Sequence, residues 1–242
     1  MEYTANGVIT LSPESRTRLS SDVSFVSPSK VSVGLSSESA DKLSVLMKLE
    51  ADNDTTAQEL AQLELNRICN MLSFHNNIGI SKSGISGMSC ISTSKGVVNL
   101  SATVKVGTKV TAEVTVTLGQ KSLSELVSYL QQDYPDDFED VIFRWREAIS
   151  SESSVLQYLL LYRLLELLFQ SDTKVLTSWI IKKEPKVQLA SDRKRGEITI
   201  YTALRDHIHP KGRVFPMKDI QANVGKLQTL VHQRIKEKYN IQ

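Results

Sequence analysis

Hydrophobic and polar positions alternate along the first half of the chain and fall into helical stripes along the second. Short alternating runs such as Val23-Ser24-Phe25-Val26 and Val31-Ser32-Val33 predict strands among serine-rich loops. Leu43 to Leu49 predicts another strand, ended by the turn-prone Asp52-Asn53-Asp54. The period then changes: Leu60, Leu63, Ile68, Met71 and Leu72 make a helical stripe, and Thr56 with Glu59 has the spacing of a capping box in front of it. Two Val/Thr-rich segments, 97–106 and 110–118, predict a hairpin turning at Gly107-Thr108-Lys109. Ser81 to Ser94, rich in Ser and Gly, lacks the Gly-Lys-Ser/Thr ending and following helix of a phosphate loop.

A second capping box, Ser122 with Glu125, predicts a short helix to about Gln132, and Asp133-Tyr134-Pro135-Asp136-Asp137 reads as the domain boundary. Beyond it, Phe138, Val141, Ile142, Trp145 and Ile149 form one face of a helix. Val155 to Phe169 is apolar on nearly every side, which predicts the central helix of a bundle. A short helix is expected around Leu176 to Ile181 and another over Gly196 to His209, although Ile198-Thr199-Ile200-Tyr201 alone also suits a strand. Ile220, Val224, Leu227, Leu230, Val231 and Ile235 predict a long closing helix. The expectation is an α+β chain: a mixed domain over 1–135, then an all-α bundle over 137–242.

Charge sharpens this division. Residues 1–150 carry 13 Lys+Arg against 18 Asp+Glu, whereas residues 151–242 carry 16 against 9. The basic excess makes RNA a candidate partner for the second half, with Arg193, Lys194, Arg195, Lys211 and Arg213 as candidate backbone contacts; a solvated surface is the plain alternative. The longest apolar run is broken by Gln157, Arg163 and Glu166 and is too short to span a bilayer. No basic-then-apolar segment opens the chain, and Cys69 and Cys90 suggest neither a disulfide framework nor a zinc site, so a cytoplasmic protein is expected.

The candidate chemistry lies in Tyr201 to Pro210. On a helix Arg205 and His209 are four apart and share a face, and Pro210 ends the helix so that a ligand can reach them. Guanidinium beside imidazole suits phosphodiester chemistry, one group stabilising phosphate charge while the other moves a proton. Asp206 is the candidate orienting carboxylate. His207, about a hundred degrees round the helix, is the reserve base. Glu166, inside the apolar helix, needs a partner, for which Arg205 and Arg163 are the candidates. The structural alternative is that Arg205 and Asp206 cap or salt-bridge the bundle. His207-x-His209 with His232 has no carboxylate or Cys at ligand spacing, so no metal and no cofactor is expected.

Leu161-Tyr162-Arg163-Leu164-Leu165-Glu166, then Leu204-Arg205-Asp206-His207-Ile208, then a closing amphipathic helix, resembles the HEPN domains of prokaryotic proteins, among them the MauJ-like and Abi-type versions. Phe143-Arg144-Trp145-Arg146-Glu147-Ala148 fits the same pattern. The resemblance covers about 137–242 and implies a metal-independent endoribonuclease or RNA-binding effector, of the kind found in antiviral defence and toxin systems. Its signature is Arg, a polar residue, and a His after four to six intervening residues. Arg205 and Asp206 match, but His209 follows after three. The resemblance also implies a homodimer through the bundle, with another protein subunit as a further candidate partner. A non-catalytic interaction or dimerisation module is the alternative function.

Overall fold

The structure, a computed structural model, describes residues 1–15, 17–91, 116–208 and 217–241. The chain is mixed α/β and divides into two compact units, Met1–Pro135 and Asp136–Gln242, the first holding a sheet and the second mainly helices.

In the first unit β1 (Glu2–Leu11), β3 (Val23–Val26), β4 (Ser32–Ser39), β5 (Lys42–Glu50) and β6 (Ile80–Ile91) form one sheet in the order β3-β4-β5-β1-β6. All its pairings are antiparallel. β2 (Thr17–Leu19) pairs in parallel with β7 (Val116–Leu118). Tyr3, Ala5, Ile9 and Leu11 on β1 and Leu43, Val45, Met47 and Leu49 on β5 are buried at every second position, so one sheet face is covered. The cover is α1 (Asp54–Asn76), which packs on β1, β5 and β6. It comes so close that a Cβ at Gly7 would stand 3.1 Å from Leu65 Cδ1.

Two capping expectations are corrected here. Asn53, not Thr56, caps α1: its side chain accepts the Thr56 N–H at 2.9 Å, because an Asx side chain in extended backbone reaches the free amides of the first turn. α2 (Gln120–Leu130) starts before Ser122, at Gly119, with no side-chain cap. Glu125 instead lies 3.6 Å from His75, in the last turn of α1. The Ser/Gly-rich stretch from residue 81 continues strand β6 to Ile91, and the rest of that stretch and the expected 97–106/110–118 hairpin lie outside the described residues except for β7.

The second unit contains α3 (Asp136–Ile149), α4 (Ser154–Leu168), α5 (Thr173–Lys183), β8 (Leu189–Asp192), β9 (Gly196–Thr199), α6 (Ile200–His207) and α7 (Met217–Tyr239). α4 is central and packs against α3, α5, α6 and α7. Its Tyr158, Leu161, Tyr162, Leu164, Leu165 and Leu168 are buried, as its all-round apolar pattern requires. The expectation of an all-α bundle is not met, because β8 and β9 form an antiparallel hairpin between α5 and α6. The turn explains it: Asp192 accepts the Lys194 and Arg195 N–H groups at 2.9 and 2.8 Å, and Gly196 takes φ 79°. β-branched Ile198 and Thr199 then favour strand, so the motif helix starts at Ile200 rather than Gly196. Among the described residues no helix is long and apolar enough to cross a membrane.

Candidate functional site

α6 carries the motif and is locked from its buried face. Thr199 caps it, and its hydroxyl lies 3.3 Å from that of Thr202. Tyr158 donates from α4 to the Tyr201 carbonyl at 2.9 Å, and Tyr162 donates to the Thr202 hydroxyl at 2.8 Å. Tyr201 in turn donates to Glu184 at 2.7 Å. Burial, and then the Glu184 carboxylate, push the Tyr201 phenol well above its ordinary pKa, so it stays a donor.

Arg205 leaves this helix over α4. Its guanidinium carbon stands 5.1 Å from the centre of the Tyr162 ring, one Nη donates to Glu166, and the other lies 3.0 Å from Asp206. Asp206 also accepts from Arg195, and Arg195 meets Asp192 at 3.1 Å. The result is a continuous ion-pair chain, Glu166–Arg205–Asp206–Arg195–Asp192, in which every side chain is about a third exposed. Hydrogen bonds from the Arg195 side chain, then from the Arg195 and Lys194 amides, hold the Asp192 carboxyl down at about 2. Asp192 and Asp206 raise Arg195 above its usual value. Three carboxylates against two guanidiniums leave the chain at net −1.

The chain of charges links two clefts. Arg195 lines one of about 850 Å³, with Lys174, Thr177, Lys194 and Glu197 around it. Glu166 lines another of about 500 Å³, together with Arg144, Glu147, Leu160, Arg163 and Leu167. Ser171, left-handed at φ 62°, borders both.

The structure thus joins Arg205, Asp206, Glu166 and Arg195 in one network. His207 is exposed, and Arg193 and Lys194 stand exposed at the hairpin turn. His209, Lys211 and Arg213 lie outside the described residues. Two members of the network were not among the sequence candidates. Asp192 was findable, since Asp followed by a polar run and Gly is a turn signature. Tyr162 was not, because its hydroxyl and ring find their partners only when α4 meets α6. Among the described residues there is no group of three or more His, Cys, Asp or Glu able to hold a metal, and Cys69 and Cys90 are free thiols.

Compared with protein-family models, characterised proteins and solved structures, the chain matches none of them.

Proposed function

We propose that the second unit is a HEPN-like helical module that acts by binding protein, including a second copy of itself, rather than by cutting RNA. One observation carries this reading: the Arg205 guanidinium is already committed to Glu166 and Asp206 in a network with excess negative charge. A guanidinium that stabilises a phosphorane needs donors aimed at empty space where charge develops. Here a phosphate would have to compete with two carboxylates. The resemblance to HEPN domains, some of which bind without cleaving, agrees with it.

The second reading is the metal-independent ribonuclease of antiviral or toxin type. It is favoured by the position of Arg205, a third exposed in the last turn of α6, four residues before His209 in the sequence. Both readings meet in one experiment: incubation of the protein with single-stranded and hairpin RNAs in chelator, followed by end-group analysis. The module reading expects intact RNA and a lower melting temperature for Arg205→Ala. Products with 2′,3′-cyclic phosphate, lost in both Arg205→Ala and His209→Ala while the fold survives, would overturn it in favour of the nuclease.

A further inference from the structure

The β8–β9 hairpin has an edge that its own unit leaves open. Just beyond the strand ends, Ile200 donates its N–H to the Gln188 carbonyl at 2.8 Å. Hydrogen-bonded and non-bonded pairs alternate along an antiparallel ladder, so Ala190↔Ile198 is a bonded pair and Ser191↔Glu197 is not. The backbone N–H and C=O of Glu197 therefore point away from β8, out of the edge of β9. Neither group has a partner among the described residues, and Glu197 is exposed. An unpaired edge of this kind is a template for another strand.

The edge opens into a groove. α5 packs against β9, and the cleft of about 850 Å³ lies between them. Gly196, Glu197 and Ile198 form one wall and Lys174, Thr177 and Ser178 of α5 the other, with no residue of β8 lining it. The Thr177 and Ser178 hydroxyls make no hydrogen bond among the described residues, so the helix wall also offers open polar groups. The hairpin is held in place for a partner, because Arg195 ties its turn to Asp192 and to Asp206 on α6. Little further order has to be imposed on this side when a ligand arrives.

We propose that this groove takes an extended acidic segment of a partner protein, added as a third strand on β9. The inference rests on the interaction-module reading and names its partner class and surface. Charge selects the segment. Asp172 is occupied by the Lys174 and Val175 amides, and Arg195 is already paired twice, whereas the Lys174 and Lys194 side chains make no ion pair among the described residues. Two open ammonium groups and one open carboxylate, that of Glu197, thus line the cleft. Carboxylates alternating with uncharged residues meet the ammonium groups and keep an uncharged side chain opposite Glu197, where a like charge would repel. Hydrogen bonding favours peptide over RNA, because Glu197 offers one donor and one acceptor at strand spacing, and a run of phosphates only accepts.

The test is fluorescence polarisation of a labelled peptide of alternating Val and Glu on the full chain, against a Val/Lys peptide and an oligouridylate. Only the Val/Glu peptide should bind, and Lys174→Glu with Lys194→Glu should weaken it about tenfold. Glu197→Pro should abolish binding, since proline lacks the outward N–H, while the hairpin survives because that N–H takes no part in its ladder. Glu197→Ala keeps the N–H and should bind at least as well as the wild type. On the unaltered protein, the same peptide N-methylated on its Val residues should not bind, whatever Glu197→Pro does to folding. A Val/Glu peptide that fails to bind, binds equally well when methylated, ignores the two Lys→Glu changes, or is displaced by oligouridylate would overturn the groove. Such a failure with RNA left intact removes the groove and spares the module reading, whereas cyclic-phosphate products sink the module reading whatever the peptide does.

Discussion

Replacing Arg205 by Ala is the most informative perturbation of the ion-pair network. It removes a charge-assisted bond to Glu166, a 3.0 Å pair with Asp206 and a cation stacked 5.1 Å from the Tyr162 ring. Breaking a fully buried pair costs about 3–5 kcal/mol and an exposed one about 1 or less. At one-third exposure Glu166 keeps part of its hydration, so its loss is set at about 1 kcal/mol, near the exposed end of that scale. Asp206 retains Arg195, which limits its share to about 0.5 kcal/mol, and the cation–π contact adds about as much. The expected destabilisation is therefore about 2 kcal/mol, a fall of about 10 °C in the melting temperature of a unit this size. Urea unfolding followed by circular dichroism measures it, and a double-mutant cycle with Glu166→Ala isolates the pair at about 1 kcal/mol of coupling. Arg205→Lys should recover only part, because an ammonium does not reproduce the planar fork. A stability within about 0.5 kcal/mol of wild type for Arg205→Ala, with no coupling to Glu166, would refute the reasoning. The guanidinium would then be free for an incoming phosphate.

Two further outcomes follow from the geometry. Asp192 has a folded pKa of about 2, below its unfolded value, so its contribution is complete above the unfolded pKa and is lost as pH falls through the folded one. Amide exchange at Lys194 and Arg195 should rise between about pH 4 and 2, and Asp192→Asn should show that fast exchange already at neutral pH; protection unchanged by the substitution would refute the turn's dependence on the carboxylate. Asn53→Ala should cost about 1 kcal/mol in urea unfolding, whereas Glu59→Ala should stay within about 0.5 kcal/mol; equal losses would restore the capping box expected from the sequence.

Local pattern alone determined much of this protein. Apolar Leu43, Val45, Met47 and Leu49 at every second position specify β5, because a strand with one face against a helix buries every second side chain, and Leu46 between them stays exposed. The apolar run of 155–169, interrupted at Gln157, Arg163 and Glu166, specifies α4 as the central helix, since a helix apolar on most sides needs neighbours on most sides. The stripes from Phe138 and from Ile220 likewise specify α3 and α7. Caps were less legible, because Asn53 and Thr56 both satisfy the cap rule and backbone conformation chooses between them. The hairpin before α6 was missed for a related reason. Its strands are four residues each, too short for periodicity to outweigh the helical pattern that follows. The candidate site was legible as residue types but not as a state. Arg205 and Glu166 were visible as possible partners, yet the commitment of Arg205 depends on Asp206 being shared with Arg195, which the Asp192 turn brings to α6. An ion-pair chain of this kind joins residues from position 166 to 206, and no sequence spacing encodes distances across that span. Only the packing of α4, α6 and the hairpin decided that the guanidinium is paired rather than open.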